Sequence, residues 1–388
     1  MTTFKNLILR ATYIVAWSII TLLLFGCSNI KTQNVSDIRD LITDTISLPL
    51  NIEERIYFWN IKNIEGTDEV VSYLKDNNFT LYQYSIPKER IIDSISLLKY
   101  KPLFVDYAFQ GLDTLIILLT NYQLMLFTEG REKTYDLKSL MLENVDSFAY
   151  PGMKRDQIYI KNNIITFNAA TSRPRFNFSK PFSDEILFNY VVQCELTTDS
   201  IRYFNKYNPY DPDILINGYY EDRMIRFPSL NTLVYYYDFQ NIIHKIDLDK
   251  DDTTSVQLFP SSYNWTPSIP LNYDSSQNHA YLFNYIFSRN NITLHLFNSY
   301  KNEWLFFMRK PIDYIKKDGS YTQGQDHTFT LFILDTNLIQ KKEILINPNT
   351  SEHILESFIT SKGLYLPIAK EFQNLDKDET LYYRINLD

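Results

Sequence analysis

From Asn231 to Asp252 the chain reads NTLVYYYDFQNIIHKIDLDKDD. A run of apolar and aromatic residues is followed by a short polar turn. Then Ile243, Lys245 and Asp247 alternate with His244, Ile246 and Leu248. A period of two on either side of a turn predicts a β-hairpin. The pattern returns at Thr80 (TLYQYSIPKERIIDSISLL), Gln123 (QLMLFTEGREKTYDLKSL), Ile292 (ITLHLFNSYKNEWLFFMRK) and Phe329 (FTLFILDTNLIQKKEILIN). A further start, TLYYRINLD at Thr380, reaches the chain end before its turn. The long interval from 123 to 232 predicts one more hairpin, in QIYIKNNIITFNAA or ILFNYVVQCELTTDSIRYF. Repeats of about 50 residues, with several strands each, are the mark of propeller blades.

One blade is legible in full. LFVDYAF (103–109), TLIILLT (114–120), YQLMLFT (122–128) and KTYDLKS (133–139) predict four consecutive strands. The second is continuously apolar, as a strand sandwiched between two neighbouring blades must be, and the fourth alternates like an outer edge with one face in water. Tyr235, Tyr236 and Tyr237 are expected on a third strand, wedged between blades. DTISLPLN at Asp44 is a strand without a hairpin of its own, and pairing it with TLYYRINLD would hide an open edge. The expectation is an all-β fold: a β-propeller of four-stranded blades, closed by its N- and C-terminal strands, with seven blades preferred and six credible. A pair of β-sandwiches is the alternative architecture. No long segment of helical period supports an α/β class.

The N-terminus changes the picture from fold to address. MTTFKNLILR carries Lys5 and Arg10, Ala11 to Leu24 is apolar or small, and LFGCSN follows. These are the three regions of a secretory signal. As a helix the apolar part spans about 21 Å at ~1.5 Å per residue, short of the ~30 Å core of a bilayer. Leu24, Gly26 and Cys27 resemble the lipobox of bacterial lipoproteins, in which Cys27 would carry palmitate-type lipid after cleavage behind Gly26. The division expected is a signal peptide over 1–26, a flexible tether over 27–42 and a single propeller over 43–388, on a lipoprotein of the outer membrane. An uncleaved signal anchor is the alternative. Cys194, the second of the two cysteines, lies in an apolar stretch and reads as an inert thiol.

The lipobox followed by aromatic-rich repeats looks like the propeller lipoproteins of anaerobic gut-type bacteria. FPSLNTLVYYYDFQNIIHKIDLD and LYYRINLD are similar to the family called domain of unknown function 4221. The resemblance covers Thr43 to Asp388 in layout. It implies a propeller and no assigned activity, so it lends no functional residues.

Net charge is −8, and residues 1–26 hold two bases and no acid. No basic run offers a track for phosphates, so nucleic acid is not an expected partner. No phosphate loop, nucleophile elbow or zinc motif is present, and no cofactor or metal is expected. DLDKDD at Asp247 opens like a calcium loop, but Asp252 and Leu258 stand where Gly and Glu are required.

Two clusters carry candidate chemistry. Arg173 and Arg175 flank Pro174, and Tyr210, Asp211, Arg223 and Arg226 gather among turn residues. In an acidic chain such arginines, grouped with aromatics, suit an anionic or sugar-like ligand, or else salt bridges between blades. Thr45, Ser94, Thr114, Ser200 and Thr253 each follow an Asp, in a pattern resembling an O-glycosylation acceptor of some bacteria. Two functions stay open. One is a non-catalytic module binding a glycan, peptide or protein; the other is an extracytoplasmic propeller enzyme acting on glycans.

Overall fold

The computed structural model describes residues 35–49, 61–137, 158–170, 189–207, 223–265, 284–369 and 379–388, with breaks of one to four residues inside several of these spans. The described chain opens with β1 (Ser36–Asp37) and β2 (Ile42–Leu48). A first antiparallel sheet follows: β3 (Lys62–Asn63), β4 (Val70–Lys75), β5 (Thr80–Ser85) and β6 (Arg90–Ser96). The second holds β7 (Phe104–Gln110), β8 (Thr114–Leu119), β9 (Gln123–Thr128) and β10 (Arg131–Asp136). The third holds β11 (Ile158–Lys161), β12 (Ile164–Ala170), β13 (Asn189–Leu196) and β14 (Ile201–Tyr207). The fourth holds β15 (Arg223–Ser229), β16 (Thr232–Tyr237), β17 (Ile242–Asp247) and β18 (Asp252–Gln257). The fifth holds β19 (Asn291–Asn298), β20 (Glu303–Arg309), β21 (Phe329–Asp335) and β22 (Gln340–Ile346). The sixth holds β23 (Phe358–Thr360), β24 (Gly363–Pro367), β25 (Thr380–Ile385) and, as its fourth strand, β2. These sheets are the blades of a six-bladed β-propeller, numbered here in that order.

The second strands show why the blades stack. Along β8, Leu115, Ile117 and Leu119 enter the core shared with blade one, where Leu81 lies. Ile116 and Leu118 enter the core shared with blade three, beside Ile165 and Phe167. Along β20, Trp304, Phe306 and Met308 face blade four, while Leu305 and Phe307 face blade six. Period two with both faces buried demands an unbroken apolar run, which is what these strands contain. The outer strands carry no such demand, and β6 is exposed along almost its whole length.

Six blades replace the seven preferred from the sequence, and the cause is a single insertion. The hairpins beginning at Ile292 and Phe329 are the two halves of one blade, β19–β20 and β21–β22, separated by residues 310–328. Both stretches proposed for the hidden hairpin are hairpins, and together they make blade three. A second correction concerns Tyr235, Tyr236 and Tyr237, which lie on the second strand of their blade and not the third. Tyr236 is nonetheless fully buried between blades four and five.

The ring closes on the two chain ends. β2 pairs antiparallel with β25, with Ile42 opposite Ile385 and Leu48 opposite Thr380. A second seam lies beside it. β1 adds to the outer edge of blade five, parallel to β22, and Ile38 is fully buried in the core between blades five and six. Asp37 is fixed by the Arg39 guanidinium and by the Asn347 amide at 2.6 Å. Residues 36–42, inside the stretch read as a tether, thus contribute β1, Ile38 and the start of β2 to the propeller.

Gly363 shows how tightly the closing blade is built. Its φ is 137°, and a Cβ there would stand 2.3 Å from the Ile385 carbonyl oxygen on β25. Gly363→Ala is expected to lower stability by about 2–4 kcal/mol, through backbone strain and a displaced seam. Urea unfolding would read the loss; a midpoint like that of the wild type would refute the steric account.

Candidate functional site

The blades present two unlike faces. Within each blade the first-to-second and third-to-fourth connections lie on one face, and the second-to-third and blade-to-blade connections lie on the other. On the first face every connection between described strands is two to six residues long. On the second they include 171–188, 208–222, 258–290, 310–328 and 347–357. Variable chain on a rigid frame is where binding groups concentrate, so the long-connection face is the candidate surface.

The short-turn face carries a bond between distant blades. Asn63 ends β3 of blade one, and its amide donates to the Tyr300 hydroxyl at 2.9 Å. Tyr300 sits in the 299–302 turn of blade five. Blade six lies between those two in the ring, so this bond joins blades that are not neighbours. Nearby, Glu69 is buried in the 64–69 turn and accepts from Tyr365 at 2.8 Å and Thr360 at 3.3 Å, both of blade six. Burial, and then this carboxylate, push the Tyr365 hydroxyl well above the ordinary phenol range.

Two neighbouring innermost strands, β3 and β7, are joined by charge. Lys62 of β3 reaches Asp106 of β7 at 2.7 Å, with side chains 11% and 1% exposed. The ammonium also lies 4.6 Å from the Tyr107 ring centroid. An ion pair this dry is costly to break on one side only. On β19, His295 Nδ1 meets the Tyr236 hydroxyl of blade four at 3.1 Å.

Among the described residues, the long-connection end of blade five gathers a group of buried polar side chains. Arg289, Asn290 and Asn291 stand at the start of β19, His327 precedes β21, and Thr350, Ser351, Glu356 and Ser357 follow β22. Arg309, half-buried at the end of β20, lies with its guanidinium carbon 5.0 Å from the Phe287 ring centroid. His327 packs on the same ring, centroids 5.1 Å apart. Burial, then the Arg309 charge, push the imidazole down to about 4 against the opposing pull of Asp326. Burial alone would raise Asp326, but Lys316 at 2.6 Å and the Gln323 amide outweigh it and hold the carboxyl below its usual range.

Residues 313–322 fold back on themselves above this cluster. Ile315 bridges to Tyr321, and the Thr322 amide donates to the Tyr314 carbonyl at 2.8 Å. Tyr314 packs at a tilt against Phe287, centroids 5.2 Å apart, and against Tyr321 at 5.0 Å, and Tyr321 stands 55% exposed.

Sequence reasoning did not single out this group. Arg289 and Arg309 are separated in the chain, and the one signal that could have found them, the length of 310–328, was read as a boundary between blades. The residues it did single out stand as follows. Arg223 and Arg226 lie on β15, the innermost strand of blade four. Arg173, Arg175, Tyr210 and Asp211 lie outside the described residues, as do Cys27 and Ser200. Thr45, Ser94 and Thr253 are exposed on the outermost strands β2, β6 and β18, and Thr114 is half-buried at the start of β8. Within DLDKDD, Asp249 and Lys250 are exposed between β17 and β18, and Asp247 pairs with Lys250. Among the described residues no three His, Cys, Asp or Glu side chains gather as a metal site would require.

No protein-family model matches the chain, and no curated protein matches it. The deciding likeness is one of structure. A member of the DUF4221 family from Bacteroides vulgatus superposes with a TM-score of 0.65, at 12% identity, over 89% of this chain and 97% of that one. The fold is that of this DUF4221 protein. A putative exported protein from Bacteroides fragilis gives a TM-score of 0.46 at 11% identity, over 92% of this chain and 98% of that one. A luciferin-regenerating enzyme gives 0.42 at 9% identity, over 88% and 95%. At such identity the DUF4221 likeness speaks for the fold alone and assigns no side chain a role.

Two measurements probe this geometry. Lys62→Met leaves Asp106 buried without its ammonium and is expected to cost about 3–5 kcal/mol, much of it recovered in Lys62→Met/Asp106→Leu. A double variant no more stable than the single one would show that the pair is not what joins the strands. The second concerns His327, whose folded pKa of about 4 lies below the ordinary 6.5. The unfolded chain binds the proton more readily, so this group's stability is fully present above pH ~6.5 and is lost as pH falls toward 4, by roughly 3 kcal/mol in all. His327→Phe should flatten that part of the stability profile. An unchanged profile between pH 4.5 and 6.5 would contradict the assignment.

Proposed function

We propose that this chain is a membrane-anchored, extracytoplasmic lipoprotein whose propeller is a non-catalytic module binding a ligand or protein on its long-connection face. The observation that carries the binding reading is the contrast between the faces. One has short turns and the Asn63–Tyr300 bond between non-adjacent blades. The other has the long connections and the buried polar group of blade five. A rigid ring with one elaborated face suits recognition, since little order is lost when the partner docks.

The address rests on the N-terminal sequence. The charged start, the short apolar stretch and Leu24-Phe25-Gly26-Cys27 support export and lipid attachment at Cys27 on an outer-membrane protein. The exposed outer strands carrying Thr45, Ser94 and Thr253 suit glycan attachment on an exported protein.

Cys27→Ala is expected to move the protein from the membrane pellet to the soluble fraction; retention in the pellet would remove the anchor from this reading. A thermal-shift screen of the full chain against glycans, peptides and small acids should find a stabilising ligand, by about 2.7 kcal/mol at a hundredfold excess over Kd. Product formation from any ligand in that screen would replace the binding module with an enzyme.

A further inference from the structure

A hairpin stands on the long-connection end of blade five with an apolar pair uncovered. Residues 313–322 turn at Asp318 and Gly319, whose φ of 85° suits glycine. The Lys316 amide donates to the Ser320 carbonyl and the Thr322 amide to the Tyr314 carbonyl, each at 2.8 Å. Those bonds frame Ile315 and Tyr321 as a directly opposed antiparallel pair, whose side chains lie next to each other on one face. They are 49% and 55% exposed. The base of the hairpin is fixed. Tyr314 packs against Phe287, the Ile312 amide donates to the Phe287 carbonyl at 3.0 Å, and Lys316 pairs with Asp326. Single exposed apolar residues are ordinary on a protein surface, but an isoleucine and a tyrosine paired on a fixed projection form a contact point.

The course of the chain points to what meets it. β1 lies on the outer edge of this same blade, and Ser36 stands opposite Ile344, two residues from the long-connection end of β22. From Cys27 to Ser36 is nine residues, which span at most about 32 Å. A domain of about 350 residues, with a radius of gyration of about 20 Å, is about 50 Å across. With Cys27 in lipid, the outer edge of blade five cannot stand farther than the tether from the surface, whereas the opposite edge can. The hairpin rises from the end of blade five nearest to Ser36. Other exposed apolar side chains lie elsewhere: Ile91, Ile92, Leu98 and Leu112 on blades one and two, Tyr300 and Ile339 on the short-turn end of blade five. The hairpin holds two lysines and two aspartates, so charge does not draw it to an anionic surface. What it offers is an isoleucine and a tyrosine, whose ring and hydroxyl suit the boundary between hydrocarbon and water.

We propose that the 313–322 hairpin seats on the lipid bilayer that holds Cys27, with Ile315 and Tyr321 entering the boundary between headgroups and acyl chains. Lys317, exposed beside the turn, keeps its ammonium among the headgroups. The lipid anchor makes the encounter intramolecular, so a contact too weak to recruit free protein is enough to set the tilt of the ring. The inference rests on Cys27 being a lipid anchor. It leaves ligand recognition to the other connections of the same face and gives that face a fixed orientation to the membrane.

The test uses the chain purified with its lipid and reconstituted in phosphatidylcholine vesicles, with or without bromine on the acyl chains. Bromine quenches an indole only at close range, so a tryptophan reports the depth of its own position. Ile315→Trp is compared with Ile91→Trp, each as the difference from the parent chain and its four tryptophans. Seated about 5–10 Å into the interface, the indole at position 315 is expected to lose at least about half its emission, and the one at 91 almost none. The loss should persist at about 1 M salt, where charges are screened within about 3 Å, and should largely vanish in Ile315→Trp/Tyr321→Asp. Position 315 quenched no more than position 91, in vesicles that carry the chain, overturns the seat and leaves the anchor standing. So does quenching that salt abolishes or that Tyr321→Asp leaves intact. If the chain does not float with the vesicles, the anchor falls and the seat falls with it.

Discussion

A ring of sheets exists only if its last member meets its first. Here that meeting is the antiparallel ladder between β2 and β25, which joins positions 42–48 to 380–385. Without it blade six would end in an open edge, and the core of Tyr365, Tyr382, Val71 and Tyr73 between blades six and one would lose a wall. The short N-terminal segment does more than supply one strand. It also covers the outer edge of blade five and buries Ile38 between blades five and six. The closing seam is thus shared between two blades, and Gly363 and Leu387 are fitted against it.

Closure also decides where chemistry can occur. Once the inner strands are fixed around an axis, their buried polar residues find partners in the neighbouring blade: Lys62 pairs with Asp106 of the next inner strand, and His295 with Tyr236 on the second strand of blade four. What remains free to vary is the chain between strands, and it varies on one face. Short turns on the other face leave Asn63 and Tyr300, of two non-adjacent blades, close enough to bond. The polar cluster at the opposite end of blade five belongs to a surface whose shape the ring does not dictate.

Much of this architecture was legible in the sequence, because the strands obey a strict rule. Blade two was readable strand by strand, since β8 is buried on both faces and β10 is an edge; a pattern of apolar and polar residues records those conditions directly. The blade count was not, because residues 310–328 separate two hairpins of one blade and mimic a boundary. Strand order was harder still. Tyr236 is buried whether it lies on a second or a third strand, and burial is all that its aromatic character reveals. The candidate site was least legible. Arg289, Arg309, His327 and Thr350 are scattered along the chain, and nothing in their local pattern distinguishes them from surface residues until the fold brings their segments together.

The direction of the closing ladder has a mechanical meaning. Ile42 and Ile385 lie opposite each other at the same end of the β2–β25 pair, toward the two chain termini. Tension applied between the termini would therefore open this ladder like a zipper, loading its hydrogen bonds one after another, whereas pulling from opposite ends would load them all together. The seam that completes the ring is also its weak point under force. The side contacts made by Ile38 and Leu387, and the hold of Lys301 and Lys342 on Asp388, are what such a pull would meet first.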